Sequence, residues 1–467
     1  MKFALATLLS TAIAVNGTNT CVTDFDAAEN VDYYPTKVDF DYASSLSITY
    51  HGNYKKLGFT DWSGTYTTCV VKCGTTLPSS ATGCDTTVTP ETNKMAISAA
   101  SQIPYIHSLG MIDSISLAMI GTSSIQNSCV LDAVTDGTLS AVDADGNGYD
   151  WSSTMDTGHV DDVIEFTLTP GYGNADAVKN SVPFVEWSDP SLLGRTEWIL
   201  YLGALTDQEF FAQNVYDEQK SRIDCVTNNV ETLREAAVVD GTDVTVLWAT
   251  RSDYIDTYSD PPVSHEGWDV ATCTVNADAY GGYGPYYCEA ANLLGVQLLN
   301  TTAGSVVAGS SVYMTDDEFE SYGADADVWI YNAAFDTADL TTRFPFIETF
   351  KSYTTENIWD PQKRGMNDFF ETFVNQADTF IEDMASIAVD GQFLDGDNTA
   401  HVRVFYRNIF TEPTGSFGIC PGATLALLSD QCSPINEVFT LGSPGAVASL
   451  KIAAAAVAFF GGAFLAF

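Results

Sequence analysis

The sequence predicts an α/β protein built as two lobes joined by one long helix. Phe210, Phe211, Asn214, Val215, Glu218, Arg222 and Cys225 recur at helical spacing, which places a connecting helix within residues 206–238. A stretch of that length would reach roughly 45 Å at 1.5 Å per residue, enough to cross between lobes. Strand and helix patterns flank it on both sides. Before it, a short apolar strand (Val182–Trp187) leads through a polar turn into a helical segment, Leu192–Leu205. After it, a strand at Val244–Trp248 restarts the alternation.

In chain order, residues 1–19 read as a signal peptide. Lys2 supplies the charged start and FALATLLSTAIAV the apolar core. Residues 20–205 form the first lobe. Its opening portion, to about residue 90, is Tyr-, Thr- and Gly-rich and alternates in strand fashion, as in SSLSITYHG and YTTCVVKCGTT. Residues 239–390 form the second lobe, and 391–442 a cysteine-closed extension. Residues 443–467 read as a membrane-anchor signal. The final apolar run from Ile452 to Phe467 is shorter than the ~20 residues of a spanning helix. Small residues before it (Gly442, Ser443, Gly445, Ala446) suit a GPI signal, with a simple tail anchor as the other reading. Either places the chain on the exterior face of a membrane after passage through the secretory route.

Ten cysteines behind a signal peptide read as disulfides. Cys273/Cys288 and Cys420/Cys432 are spaced for local loops, but spacing does not fix the connectivity. Cys69, Cys73 and Cys84 lack the histidines or second cysteine pair of a metal knuckle, so they too read as disulfide partners. Asn300-Thr301-Thr302 is an N-glycosylation sequon. The formal net charge is −42, from 61 acidic against 19 basic residues, which argues against a nucleic-acid partner. It also disfavours polyanionic ligands, since no arginine cluster stands ready to meet them.

Several segments together resemble a known family. Lys94–Ile120 (KMAISAASQIPYIHSLGMIDSISLAMI) gives a strand, a turn, a helix carrying a hydrophobic-Ser-Leu-Gly-hydrophobic run, and a second strand. Val160–Thr169 (VDDVIEFTLT) gives the next strand. Asp327–Asn332 (DVWIYN), Phe346–Ile358 and Asn367–Ile387 give closing units. This order resembles the bilobal substrate-binding proteins that feed bacterial importers of cobalamin, haem and siderophores. The resemblance implies two Rossmann-like lobes, a ligand between them, and a membrane uptake component as partner. With its secretory and anchoring ends, the chain is similar to the cobalamin acquisition proteins of microalgae. That likeness implies capture of cobalamin or a related corrinoid at the cell surface. An iron, haem or siderophore receptor on the same scaffold is the alternative, favoured by 22 tyrosines and many carboxylates.

Catalytic and cofactor signatures are absent from the sequence. There is no GxxxxGK[ST] loop, no HExxH and no GxSxG. The five histidines are scattered, and the expectation is a binding protein rather than an enzyme, with no cofactor. Asp143–Asp150 (DADGNGYD) matches the first half of an EF-hand loop, but Thr154 stands where a bidentate Glu is expected. Calcium binding and a plain surface turn both remain open there.

Ligands of α/β lobes lie at the carboxyl ends of strands, and pockets for large planar molecules are mainly apolar and aromatic. Reading those turns nominates Ser101, Gln102 and Tyr105 after the first strand, with Thr122–Gln126 after the second. Trp151 lies in a Gly-rich loop, and Tyr172 follows the strand ending at Thr169. In the second lobe the candidates are Trp248, Arg251, Tyr254, Tyr286, Trp359, Asp360, Arg364 and Asn367. Trp248 and Trp359 are expected to face each other across the cleft, with Tyr172 on the first-lobe wall.

Overall fold

The computed structural model describes residues 20–27, 31–61, 64–141, 164–169, 180–235, 244–256, 263–273, 286–301, 305–308, 311–365, 368–388, 401–416 and 432–435. The signal segment, the anchor segment and Asp143–Asp150 lie outside these residues.

The N-terminal strands β1 (Leu46–His51), β2 (Tyr54–Asp61), β3 (Gly64–Val71) and β4 (Thr86–Val88) form one sheet in sequence order. The first three run antiparallel and β4 joins parallel to β3. Gly52 turns the first hairpin at φ +62°, a conformation that a side chain would strain. Cys69–Cys84 and Cys21–Cys73 fasten the sheet.

The first-lobe sheet holds β5 (Met95–Ile97), β6 (Ile115–Ala118), β7 (Ser140–Ala141), β8 (Phe166–Thr169) and β9 (Ser181–Pro183). Their order is β7-β6-β5-β8-β9 and every pairing is parallel. Chain direction across the sheet reverses between β5 and β8, the place where open α/β sheets hold ligands. β5, β8 and β9 are buried along their whole length, as parallel strands covered on both faces must be. The expected strand at Val182–Trp187 is shorter, because Glu186–Ser188 turns as a 3-10 helix.

Two helices then follow. Leu192–Leu205 is buried at all fourteen positions. Ser191 caps it by accepting from the Gly194 N–H at 3.1 Å. After a three-residue turn the connecting helix runs from Glu209 to Glu235 and leads toward the second lobe.

That lobe is one eight-stranded sheet. Its strands are β10 (Thr245–Asp256), β11 (Val263–Ala271), β12 (Gln297–Leu298), β13 (Ser305–Ala308), β14 (Ser311–Met314), β15 (Val328–Ile330), β16 (Ile358–Asp360) and β17 (Arg407–Asn408). The first residues of β10 lie parallel between β12 and β15, and β16 extends that parallel set. From Ala249 onward β10 pairs antiparallel with β11 instead, and β14 and β13 continue outward. The sequence expectation of a strand end near Trp248 is therefore corrected. The alternating run TVLWATRSDYID carries the strand eight residues further, so Arg251 and Tyr254 lie within β10, opposite Trp268 and His265.

The segment Asp368–Ala388 crosses back from the second lobe. Its helix Ala377–Ala388 is buried along its length and packs on the connecting helix. Arg222 of the connecting helix pairs with Asp378 at 3.3 Å. Cys432 bridges to Cys225 on the connecting helix rather than closing a local loop with Cys420, while Cys273–Cys288 forms the local loop expected.

A buried ion cluster fixes the turn between the two helices. Lys55 of β2 is fully buried, with its ammonium 2.6 Å from Asp207 and 2.5 Å from Glu209, and 4.5 Å above the Tyr34 ring. Lys72 reaches the other oxygen of Asp207 at 3.0 Å. Removing one member of such a cluster strands the remaining buried charge. Lys55→Ala should therefore cost about 3–5 kcal/mol. Chemical denaturation of the variant checks this, and a loss below about 1 kcal/mol would match an exposed pair instead.

Candidate functional site

The carboxyl ends of the first-lobe strands meet groups from the second lobe and from the crossing segment. After β5, Gln102 is fully buried, and its Oε1 accepts from the N–H groups of Ser98 (2.9 Å) and Ala99 (3.3 Å). It shapes the turn from beneath. Ser98 Oγ donates to the Leu168 carbonyl at 2.7 Å, tying this turn to β8. The fully buried Tyr105 hydroxyl sits 2.7 Å from the Arg195 carbonyl and 2.8 Å from that of Val374. It shares one proton between the first lobe and the crossing segment.

After β9 come three charged groups with little or no solvent. Burial raises the Glu186 carboxyl to about 7, with Ser101 beside it. Burial likewise raises Asp189 to about 6. Arg195, one turn into the helix, donates from Nε to the Asp189 carbonyl at 2.8 Å. Its guanidinium lies 4.5 Å over the Tyr286 ring and 5.4 Å from the Phe373 ring. Stacking of this kind favours a guanidinium taken out of water.

An open cleft of ≈ 510 Å³ begins at Pro190, the residue after Asp189. Pro190 and Ser191 form one side, and Cys288, Glu289, Asn292 and Leu293 of the helix Tyr286–Leu294 form the other. Glu289 reaches across it. Its carboxylate accepts from the Leu192 N–H at 2.6 Å and from Ser191 Oγ at 3.4 Å. A negative side chain from one lobe thus sits at the positive N-terminal end of a helix in the other.

A second contact between the lobes lies after β6. The Gln126 N–H donates to Glu371 of the crossing segment at 2.6 Å. Burial raises the Glu371 carboxyl to about 8, with the nearby Asp368 carboxylate adding to the effect. Asp368 is itself raised to about 6 by burial and lies 3.5 Å from Arg364. Asn375 completes the seam, donating to the Pro104 carbonyl at 3.1 Å and to Ser108 Oγ at 2.7 Å.

The structure brings Ser101, Gln102, Tyr105, Tyr286 and Arg364 to this seam, Gln102 and Tyr105 as buried supports. Trp248 and Trp359 do not face each other across a cleft. Trp248 pairs in register with Ile330, and Ile330 with Trp359, so both lie in one row on one face of one sheet. The helices Tyr286–Leu294 and Ala377–Ala388 pack over that face. Trp248 is 5% exposed, with Tyr287 stacked on it at 5.3 Å and Tyr286, Phe380 and Tyr406 around it. Trp359 lies under the Arg403 guanidinium at 4.3 Å and donates from Nε1 to Asn357. Asp360 is committed to Arg407 at 2.7 and 2.9 Å and to the Phe335 N–H at 3.0 Å. Arg251 is paired with Asp253 and Asp316. Trp151, Tyr172 and Asn367 lie outside the described residues, as does the side chain of Tyr254. Among the described residues no cluster of His, Cys, Asp and Glu is arranged to hold a metal ion.

Sequence reasoning missed Glu186, Asp189, Arg195, Glu289 and Glu371. A signal was present for Arg195. It stands in LLGRTEWILYLGAL, a helix apolar on nearly every side, where any charge must be buried and answered.

No family model matches this chain, and no curated protein matches it. Solved structures similar to it include a periplasmic binding protein from Veillonella parvula, at 10% identity and a TM-score of 0.45, covering 72% of this chain and 98% of that one. Another, from Staphylococcus epidermidis, is named as a possible iron-binding periplasmic solute-binding protein. It is 13% identical with a TM-score of 0.41, over 63% of this chain and 98% of that one. The periplasmic haem-binding protein HutB of Vibrio cholerae gives 11%, 0.41, and coverage of 62% and 96%. At these identities the likeness concerns the fold alone. Among the described residues no helix is long and apolar enough to cross a membrane.

Two predictions follow from the site. Trp248→Ala should lower stability by about 3–5 kcal/mol, as for a core aromatic, before it affects any binding. Thermal melts beside ligand titration would show this, and an unchanged melting temperature would contradict it. The second concerns pH. Glu371 holds its proton to a higher pH in the folded chain than in the unfolded one. The stability this gives is complete below the ordinary glutamate value of 4.5 and is lost as pH rises through about 8. Glu186, Asp189 and Asp368 act in the same direction at lower pH. The melting temperature of Glu371→Gln should fall less than that of the wild type between pH 5 and 8. Parallel slopes would place Glu371 in an ordinary solvated state.

Proposed function

We propose that this chain is a non-enzymatic binding protein that holds a corrinoid, cobalamin, in the crevice between its lobes and presents it to a membrane uptake component. The observation that carries this reading is the state of the cations. Every arginine whose side chain is described already has a carboxylate beside it. Arg222, Arg251, Arg343, Arg364, Arg403 and Arg407 are in ion pairs. Arg195 lies within the fields of Asp189 and Glu186. A polyanionic ferric chelate or a haem with two free carboxylates would meet a net acidic crevice in which every described arginine already has a carboxylate near it. A flat, largely apolar ring edged with neutral amides meets no such penalty. The cleft residues Pro190 and Ser191 follow the carboxyl end of β9, on the side of a parallel sheet where such folds place ligands.

The expected signal segment and apolar end support a place on the outer face of a membrane. The bound corrinoid would be passed inward from there. The iron, haem or siderophore reading uses the same crevice for an iron-bearing ligand.

Isothermal titration of the protein with cyanocobalamin, haem and a ferric siderophore in parallel tests the proposal. Saturable binding of cyanocobalamin alone is the expected result. Binding of haem or of the siderophore in its place would transfer the site to the alternative ligand class. Heat-silent titrations confirmed by equilibrium dialysis for all three would remove the binding reading.

A further inference from the structure

Arg195 is 1% exposed, yet its Nη2 has no hydrogen-bond partner among the described residues. Glu186 is fully buried and neither of its oxygens makes a hydrogen bond of normal geometry, although Ser101 lies beside it. Asp189 Oδ2 is in the same state, with the Trp198 indole alongside. Leaving such atoms unsatisfied in the interior is costly. Two donors, Arg195 Nη2 and Trp198 Nε1, and three acceptors, both Glu186 oxygens and Asp189 Oδ2, therefore stand together without a hydrogen bond of normal geometry, the acids close enough to act on the charge of Arg195.

Their position is next to the open cleft. Asp189 directly precedes Pro190 and Ser191, which line it, and Arg195 lies one helical turn beyond Ser191. The ring covering Arg195 belongs to Tyr286, on the same helix that supplies Cys288, Glu289, Asn292 and Leu293 to the far side of the cleft. Access to the guanidinium from the cleft requires that helix to move outward.

We propose that Arg195, Glu186 and Asp189 form a recognition point for a neutral primary carboxamide carried on a ligand side chain. The guanidinium donates to the amide oxygen, and the carboxylates accept from the amide N–H groups. At pH 8, above the range in which Glu186 and Asp189 titrate, a carboxylate group on the ligand would be repelled by these two acids, and an ammonium group by Arg195; the melts below are run at that pH. A carboxamide alone offers both an acceptor and donors without net charge. This inference rests on the ligand-binding reading above and names the chemical group that the crevice selects.

Two measurements on the full chain test it. The first uses no corrinoid. Melting temperatures are recorded with propionamide, propionate and propylammonium. Propionamide should raise the melting temperature while the two ions do not. Equal shifts with all three, or no shift with propionamide, would overturn the proposal. In Glu186→Gln the preference over propionate should shrink, and an unchanged preference in the folded variant would also overturn it. Asp189→Asn replaces that variant if it fails to fold. The second measurement compares cyanocobalamin with its monocarboxylic acids, in which one side-chain amide is hydrolysed. At least one acid should bind roughly tenfold more weakly, the loss expected for a hydrogen bond with a charged partner. Equal affinities for all forms would overturn the proposal. A propionamide shift without any cyanocobalamin binding would keep the carboxamide site and discard the corrinoid.

Discussion

The architecture depends on one constraint, the complete burial of the helix Leu192–Leu205. A helix with no solvent face has to answer most of its polar groups from within the protein. Glu197 accepts from three successive backbone N–H groups, those of Asp41, Tyr42 and Ala43, and from the Tyr216 hydroxyl. That binds the N-terminal segment and the connecting helix to it at once. Trp198 packs on Phe59 of the N-terminal sheet and Phe184 of the first lobe. Arg195 turns the other way and takes aromatic rings from the second lobe and from the crossing segment. The four parts of the molecule are thus arranged around the polar needs of one apolar helix.

The same constraint explains why acidic groups collect at the seam. Glu186, Asp189, Asp368, Glu371 and Asp378 all have their carboxyls raised by burial. In a chain of formal charge −42 there are too few cations to match every buried acid. Protonation lowers the desolvation cost that the nearby arginines do not offset. The contact between the lobes is therefore held by backbone and amide hydrogen bonds, at Gln126, Leu192 and Asn375, more than by ion pairs.

Local patterns carried much of the fold into the sequence. Helical periodicity marked the connecting helix, and the segment Leu192–Leu205 was legible as a helix to the residue. The continuation of β10 past Trp248 was hidden, because its extension is set by pairing with β11, and pairing partners leave no mark on a single strand. The crossing of Asp368–Ala388 onto the first lobe was hidden for a similar reason, since its partners Tyr105 and Gln126 stand more than two hundred residues earlier. Aromatic residues at strand ends were a poor guide to the crevice. Trp248 and Trp359 are large enough that covering them is worth more to the core than to a cleft wall. The charged residues beside the crevice were legible in principle, because charges in apolar surroundings are rare and need a reason.

The ion cluster around Lys55 bears on how the chain is made. Its partners Asp207 and Glu209 follow 152 and 154 residues later. During synthesis the N-terminal sheet emerges first, but its central lysine has no counter-charge until the turn between the two helices has appeared. A fragment ending before that turn would have to bury a bare ammonium or leave its core open. The N-terminal sheet is thus no detachable module. It completes its interior only after the whole first lobe has been delivered, so its final closure reports that the lobe beneath it is in place.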